Sequence, residues 1–118
     1  MNLRRGDIVL VDFEPARRAE ANKIRPAIVI TNDQANEHGS SVVVVPLTSN
    51  TERIYPFQLF MPKGQTGLET DGKAQVELLR SVSRSRVGRR VGGGGGGVFP
   101  QTLPPKLNQH LKLHLGLG

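Results

Sequence analysis

Two short apolar runs joined by a polar loop constrain the fold of this chain more than any other feature. The runs are Asp7 to Phe13 and Pro26 to Thr31, and both are rich in valine and isoleucine. Such residues suit the pleated, half-buried surface of a β-sheet, so the runs predict two strands. The loop between them, residues 14–25, is polar and charged. Loops that a rigid sheet holds in place commonly carry functional sites.

The pair Arg25-Pro26 is the most specific feature of this loop. Proline lacks a backbone N–H and pushes the preceding residue towards an extended conformation. An arginine fixed in this way presents a planar fork of donors that suits a phosphate group. The pair is equally compatible with a solvated arginine at a strand edge, beside a proline that only begins the strand.

Three later segments are also predicted to be strands. Ser41 to Leu47 contains four consecutive valines, which indicates burial on both faces of a sheet. Tyr55 to Met61 is the fourth strand, and Lys73 to Ser83, whose leucines also permit a helix, is interpreted as the fifth. Five strands with short links predict a closed barrel, because four would leave open edges. Segments 33–41 and 62–70 are predicted to be turn-rich connections.

Polar side chains directly follow the third predicted strand. The segment Thr48 to Thr51, which also contains Ser49 and Asn50, supplies hydroxyl and amide donors at a strand end, a suitable place for small groups that face an anion. A hydroxyl-rich turn without any function has the same composition.

A basic run and a glycine tract follow the predicted barrel. The run is compatible with a nucleic-acid backbone, with an acidic peptide or with a solvated tail. Its members are Arg80, Arg84, Arg86, Arg89 and Arg90. The six glycines from Gly92 to Gly97 predict a disordered or extended link.

The tail from Thr102 to Leu115 predicts one amphipathic helix. Its leucines recur every four residues, at 103, 107, 111 and 115, and form a stripe that packs on the barrel or on a partner subunit. His110 and His114 are also four apart, but the tract lacks the adjacent glutamate of a metalloprotease helix. No metal site is therefore predicted.

Composition bounds the class of protein. The 118 residues fit one domain, and the complete lack of cysteine excludes disulfides, thiolate metal sites and a cysteine nucleophile. Sixteen Lys+Arg against ten Asp+Glu give a net charge of +6, which raises the expectation of nucleic acid or an acidic protein as the partner. No apolar run reaches transmembrane length and no signal peptide is evident, so the cytoplasm is the expected location.

Five tracts, in family order, resemble the MazF/PemK family of toxin endoribonucleases from bacterial toxin–antitoxin pairs. They are RRGDIVLVDFEP, EANKIRPAIVITND, VVVVPLTSN, YPFQL and KAQVELLRSV, and the tail LNQHLKLHL looks like the closing helix of the family. The resemblance implies a mainly β fold of the CcdB/PemK-like type, a small SH3-like barrel of about five strands with a C-terminal α-helix. The predicted division is a single domain over 1–118, with a barrel core at 1–87, a glycine-rich link at 88–99 and a helix at 100–116.

The resemblance also implies a function. Members of this family work as homodimers without a metal or other cofactor, and they cut single-stranded RNA, mostly mRNA, to 2′,3′-cyclic phosphate and 5′-hydroxyl ends. A cognate acidic antitoxin is the expected protein partner. The catalytic arginine and threonine of the family fall on Arg25 and Thr48, and the loop glutamate falls on Glu20. The predicted RNA-binding residues are Arg18, Asn22, Lys23, Ser49, Asn50, Gln58, Glu77 and Arg80.

Three departures from the family pattern bear on activity and target choice. Arg18-Ala19-Glu20 replaces a common Gly-Ser-Glu, Leu78 replaces a common glutamine, and the glycine tract is not a family feature. Two alternatives therefore accompany the ribonuclease: a gyrase poison built on the same barrel, and a weakened barrel that only binds RNA or antitoxin. The general base is left open, with Glu20 as the candidate if it reaches the 2′-hydroxyl.

Overall fold

The computed structural model describes residues 2–13, 24–93 and 103–118. The strands are β1 Asp7–Asp12, β2 Ile24–Val29, β3 Ser41–Thr48, β4 Leu59–Met61, β5 Gly72–Ala74, β6 Arg80–Ser83 and β7 Val87–Gly93. The helices are α1 Asp33–His38, α2 Lys63–Thr66 and α3 Leu103–Leu115, and 3₁₀ turns occur at Val76–Leu78 and Arg84–Arg86. The predicted mainly β fold with a C-terminal helix is confirmed.

The strand β3 is central to the sheet, because it pairs with β2, β5 and β6. The antiparallel path runs β4-β5-β3-β2-β1-β7, and β6 pairs with β3 as well. The edge strands β6 and β7 are consecutive in the chain and are joined by only three residues, Arg84–Arg86, so the sheet must curl to bring them together. Within the described residues, β6 and β7 do not pair, so the predicted closure of the barrel is wrong.

Two apolar clusters lie on opposite faces of this curled sheet, because strand side chains alternate. The first contains Ile8, Ile28 and Val45 and is covered by Leu107 and Leu111 of α3. The second contains aliphatic side chains, most of them at the alternate positions of the same strands: Leu3, Val9, Val11, Ala27, Val29, Val42, Val44 and Val82. Three valines of the run in β3, Val42, Val44 and Val45, are thus buried and lie on both faces, as predicted, whereas Val43 is half-buried.

The predicted fifth strand is interrupted. β5 and β6 pair with the same edge of β3, but the 3₁₀ turn Val76–Leu78 separates them. Val76 and Leu79 both pack on the first apolar cluster, which a regular strand could not achieve with residues three apart. A repeat of three residues suits a 3₁₀ turn instead.

The predicted link at 88–99 begins too early. Residues 87–93 form β7, which pairs with β1 through two register shifts. Arg90 forms an ion pair with the buried Asp7, with 3.0 Å between Nη2 and Oδ2. Arg84 donates to the backbone oxygen of Asn36. Residues 94–97 of the glycine tract lie outside the described residues.

Other boundaries differ less. β2 begins at Ile24, two residues before the predicted start, and β4 covers only Leu59–Met61 of the predicted fourth strand. The connection 33–41 contains the helix α1, because Asn32 accepts a hydrogen bond from the Ala35 N–H and caps its first turn. The connection 62–70 contains the short helix α2.

The C-terminal helix buries only part of its predicted stripe. Leu107 and Leu111 lie in the core, whereas Leu115 is 52% exposed. Asn108 accepts a 2.7 Å hydrogen bond from Arg5 Nη2, which fixes the helix against the loop before β1. No helix in the described part of the chain is long and apolar enough to cross a bilayer.

Candidate active site

A cleft of about 590 Å³ lies at the end of β3 where β2 and β5 flank it. It brings together three of the predicted site residues, Arg25, Thr48 and Ser49. The remaining walls come from the start of β2, from β3 and β4, and from the segment between α2 and β5: Ile24, Pro26, Leu47, Met61, Leu68, Thr70, Asp71 and Gly72. The cleft thus places a guanidinium and three hydroxyls, those of Thr48, Ser49 and Thr70, on one concave surface.

Arg25 is half-buried within β2 and pairs with Val11 of β1. On the other side of β2, Ala27 pairs with Pro46 of β3. In an antiparallel pair, a step of two residues back along β2 matches a step of two residues forward along β3, so Arg25 lies opposite Thr48. Side chains on the same face of opposed strands are neighbours. The register therefore explains why these two residues, far apart in sequence, share the cleft.

Thr48 ends β3 and begins the loop to β4. Its Oγ1 accepts a 3.3 Å hydrogen bond from the N–H of Asn50, and Asn50 Oδ1 accepts one of 3.2 Å from the N–H of Glu52. These local bonds are typical of turns that begin with threonine and asparagine. Among the described residues the threonine hydroxyl donates to no protein group, so its proton is available for a ligand.

Gly72 permits the close approach of β5 to the end of β3. A Cβ atom at this position would lie 2.7 Å from the backbone oxygen of Thr48, closer than side chains are found in proteins. Asp71, its neighbour, accepts a 2.9 Å hydrogen bond from the N–H of Lys63 and so fixes the start of α2 to the wall of the cleft.

Gln58 and Glu77 do not lie in this cleft. Gln58 is only 5% exposed, donates from Nε2 to Glu77 Oε2 at 2.7 Å and accepts from the N–H of Tyr55 at 3.1 Å. Glu77 lines a separate cleft with Phe57 and Leu113. The pair ties the loop before β4 to the 3₁₀ turn Val76–Leu78, and the predicted RNA contacts of both residues stay predictions.

Arg80 and Asn50 are exposed, as a contact with RNA requires. Arg80 lies in β6 opposite Val44, four residues before Thr48 along β3, or about 13 Å at the usual strand rise. Its guanidinium carbon lies 5.4 Å from the centre of the Phe13 ring. Arg80 is thus near the cleft without lining it.

Four predicted site residues lie outside the described residues. They are Arg18, Glu20, Asn22 and Lys23, all in the segment between β1 and β2, and their roles stay predictions.

Two further polar residues beside the cleft escaped the sequence analysis. Gln75 accepts a hydrogen bond from Arg25, and Lys73, which pairs with Thr48 across β3 and β5, donates from Nζ to the backbone oxygen of Arg53 at 2.5 Å. The alternation of polar and apolar residues at 73–76 was the available signal. It indicated which side chains share a face, but not that this face meets Arg25.

Among the described side chains, no cluster of three or more histidine, aspartate or glutamate residues could hold a metal ion.

Comparisons with known proteins identify the family of the chain. The family of PemK-like, MazF-like toxins of type II toxin–antitoxin systems matches residues 4–114. The endoribonuclease MazF9 of Mycobacterium tuberculosis is 42% identical over 120 residues, which cover 98% of each chain.

Solved structures share the fold. MazF from Deinococcus radiodurans superposes with a TM-score of 0.77 at 23% identity, over 98% of both chains. An endoribonuclease from a mycobacterial species, solved in complex with its cognate antitoxin, gives a TM-score of 0.75 at 22% identity, over 98% of this chain and 97% of that one. Since the family match spans nearly the whole sequence and the tuberculosis relative is similar from end to end, the chain belongs to the PemK-like, MazF-like toxins of type II toxin–antitoxin systems.

Proposed function

We propose that this chain is a sequence-specific, metal-independent endoribonuclease, the toxin of a toxin–antitoxin pair. It cleaves single-stranded RNA, chiefly mRNA, in the cytoplasm, leaves 2′,3′-cyclic phosphate and 5′-hydroxyl ends, and so inhibits translation and growth. The observation that carries the proposal is the convergence of Arg25 and Thr48 on one cleft.

The chemistry follows from what cleavage by a 2′-hydroxyl requires. The 2′-oxygen loses a proton and attacks the phosphorus, the phosphorane gains negative charge, and the 5′-oxygen gains a proton as it leaves. The guanidinium of Arg25 stabilises the phosphorane with charge and paired N–H donors, and the hydroxyl of Thr48 adds a neutral donor. A guanidinium stays protonated at neutral pH and is a poor base, so Glu20 is the candidate for proton removal.

Cleavage of a long single-stranded RNA in EDTA, with mapping of 5′-hydroxyl ends, tests the proposal. Wild-type protein should give discrete cuts. Arg25→Ala should abolish them and keep the fold, because it removes the charge that the phosphorane needs.

Undiminished cleavage by Arg25→Ala would remove this arginine from the mechanism. Inhibition of gyrase without RNA cleavage would favour the gyrase-poison alternative, and neither activity would leave a barrel that only binds RNA or antitoxin.

The expected protein partners also have physical support. The net charge of +6 suits an acidic antitoxin as well as RNA, and rising salt should weaken both associations. Large apolar side chains are exposed at the end of α3 and on the first 3₁₀ turn, which supports a homodimer. They include Leu78 at 47%, Leu113 at 66% and Leu115 at 52% exposure.

A further inference from the structure

Gln75 has a contact that the reaction outlined above does not use. Its Oε1 accepts a hydrogen bond from Arg25 Nη2 at 3.3 Å, and the same nitrogen donates to the backbone oxygen of Leu47 at 3.4 Å. Within the described residues, Nε and Nη1 of Arg25 make no hydrogen bond. Both contacts therefore hold one corner of the guanidinium and leave the rest of its donor fork available.

The path between the two residues shows that this contact depends on the whole sheet. Arg25 belongs to β2 and Gln75 directly follows β5, with β3 between them. Two strand spacings amount to about 9.5 Å, so the arginine side chain must extend across β3 to reach the amide. The N–H of Gln75 donates to the oxygen of Pro46 at 2.9 Å, which fixes Gln75 against the C-terminal part of that strand.

The partners of the guanidinium are uncharged, and this matters for catalysis. A carboxylate at the same distance would form an ion pair and neutralise the charge that a phosphorane requires. An amide oxygen and a backbone oxygen orient the plane of the guanidinium without removing its charge. The long distances indicate weak bonds, which a phosphate can outcompete.

We infer that Gln75 is a positioning residue that holds the guanidinium of Arg25 in the orientation needed to stabilise the phosphorane. This role rests on the proposed ribonuclease function and adds to it a residue beyond the arginine and threonine. Because a misplaced catalytic group is penalised mainly in the transition state, loss of Gln75 should lower kcat more than it weakens RNA binding.

Two variants separate orientation from charge. Gln75→Met keeps the length of the side chain but removes the amide oxygen, so kcat should fall on the order of tenfold to a hundredfold. Binding is measured with an uncleavable RNA that carries a 2′-deoxy nucleotide at the cut site. The affinity for this RNA should change by less than about twofold. Gln75→Glu keeps the acceptor but adds a negative charge, so it should also weaken binding of that RNA and change its salt dependence.

A control variant separates failure of the proposed ribonuclease function from failure of the positioning role of Gln75. Gln34→Leu makes a similar change on the exposed face of α1 and should leave both constants unchanged. If wild type and Gln34→Leu fail to cut RNA, the proposed function falls, and the positioning role falls with it. The positioning role alone is overturned if wild type cuts RNA and the Gln75→Met variant has an unchanged kcat. Circular dichroism must then show that the variant is folded.

A structural role would give a different pattern. If Gln75→Met unfolds the protein, Gln75→Glu decides the question, because it keeps the acceptor oxygen. In a folded Gln75→Glu variant, unchanged RNA affinity and unchanged salt dependence would overturn the inference. Weaker RNA binding that disappears in an Arg25→Ala background would support it, since the added charge then acts through the arginine.

Discussion

At the scale of single residues, the site is a matter of register. Arg25 and Thr48 share a cleft because Ala27 pairs with Pro46 and the same antiparallel register, continued by two residues, places Arg25 opposite Thr48. The sequence identified both residues through the family resemblance and the Arg-Pro step. It could not identify Gln75, because nothing local to residue 75 indicates that an arginine from a strand two positions away ends beside it.

Replacing Thr48 tests the hydroxyl alone. Thr48→Val removes the hydroxyl but keeps the shape of the side chain, so we expect cleavage to fall on the order of a hundredfold to a thousandfold, as for loss of one donor to a charged intermediate. Single-turnover cleavage of RNA by purified protein measures this. Thr51→Val, in the same loop but outside the cleft, is the matched control. Equal rates for the two variants would exclude Thr48 from the reaction.

At the scale of elements, the sequence predicted the apolar strands better than the polar ones. β1, β2 and β3 were found because valine and isoleucine dominate them. β7 was missed because its arginines and glycines resemble a link, and its two register shifts disturb the alternation that identifies a strand. The break in the fifth strand was missed because Val76 and Leu79 fit a strand or a helix equally well until the position of the core is known.

The glycine of β7 that packs on α2 gives a prediction about stability. At Gly92 a Cβ atom would clash with the backbone oxygen of Thr66, whereas at Gly64 it would meet nothing within 4 Å. Gly92→Ala should lower the free energy of unfolding by about 1–3 kcal/mol, since the strand and α2 must move apart. Denaturant unfolding monitored by circular dichroism measures the change.

Gly64→Ala is the control for this substitution. It lies in α2, where alanine is favoured over glycine, so stability should stay unchanged or rise by up to about 1 kcal/mol. If Gly92→Ala is as stable as wild type, β7 does not pack on α2 as described.

At the scale of the whole molecule, the family and the mainly β fold with its closing helix were predictable, and the closure of the barrel was not. Closure depends on whether two edge strands meet, which no local pattern encodes. β6 and β7 come together through a three-residue turn but do not pair in the described part of the chain. β7 occupies the first part of the predicted link, and the rest of the division of the chain into core, link and helix stays a prediction.

The exposed leucines near the end of α3 lead to a prediction about assembly. Leu113→Asp places a charge on the apolar surface that we expect to be covered in the homodimer, so the variant should be a monomer with the wild-type fold. Light scattering after size-exclusion chromatography measures the mass. Gln34→Asp adds the same charge on α1 and should stay dimeric. A wild-type monomer, or a dimeric Leu113→Asp variant, would contradict the proposed interface.

The placement of the site on three strands has a consequence for the cell that makes this protein. A slip of one residue between β2 and β3 would carry Arg25 to the opposite face of the sheet. The contact between Arg25 and Gln75 also needs β5 in place beside β3. A nascent chain that has not yet exposed residue 75 therefore lacks this contact, and we expect full cleavage activity only after this third strand has been made and has joined the sheet.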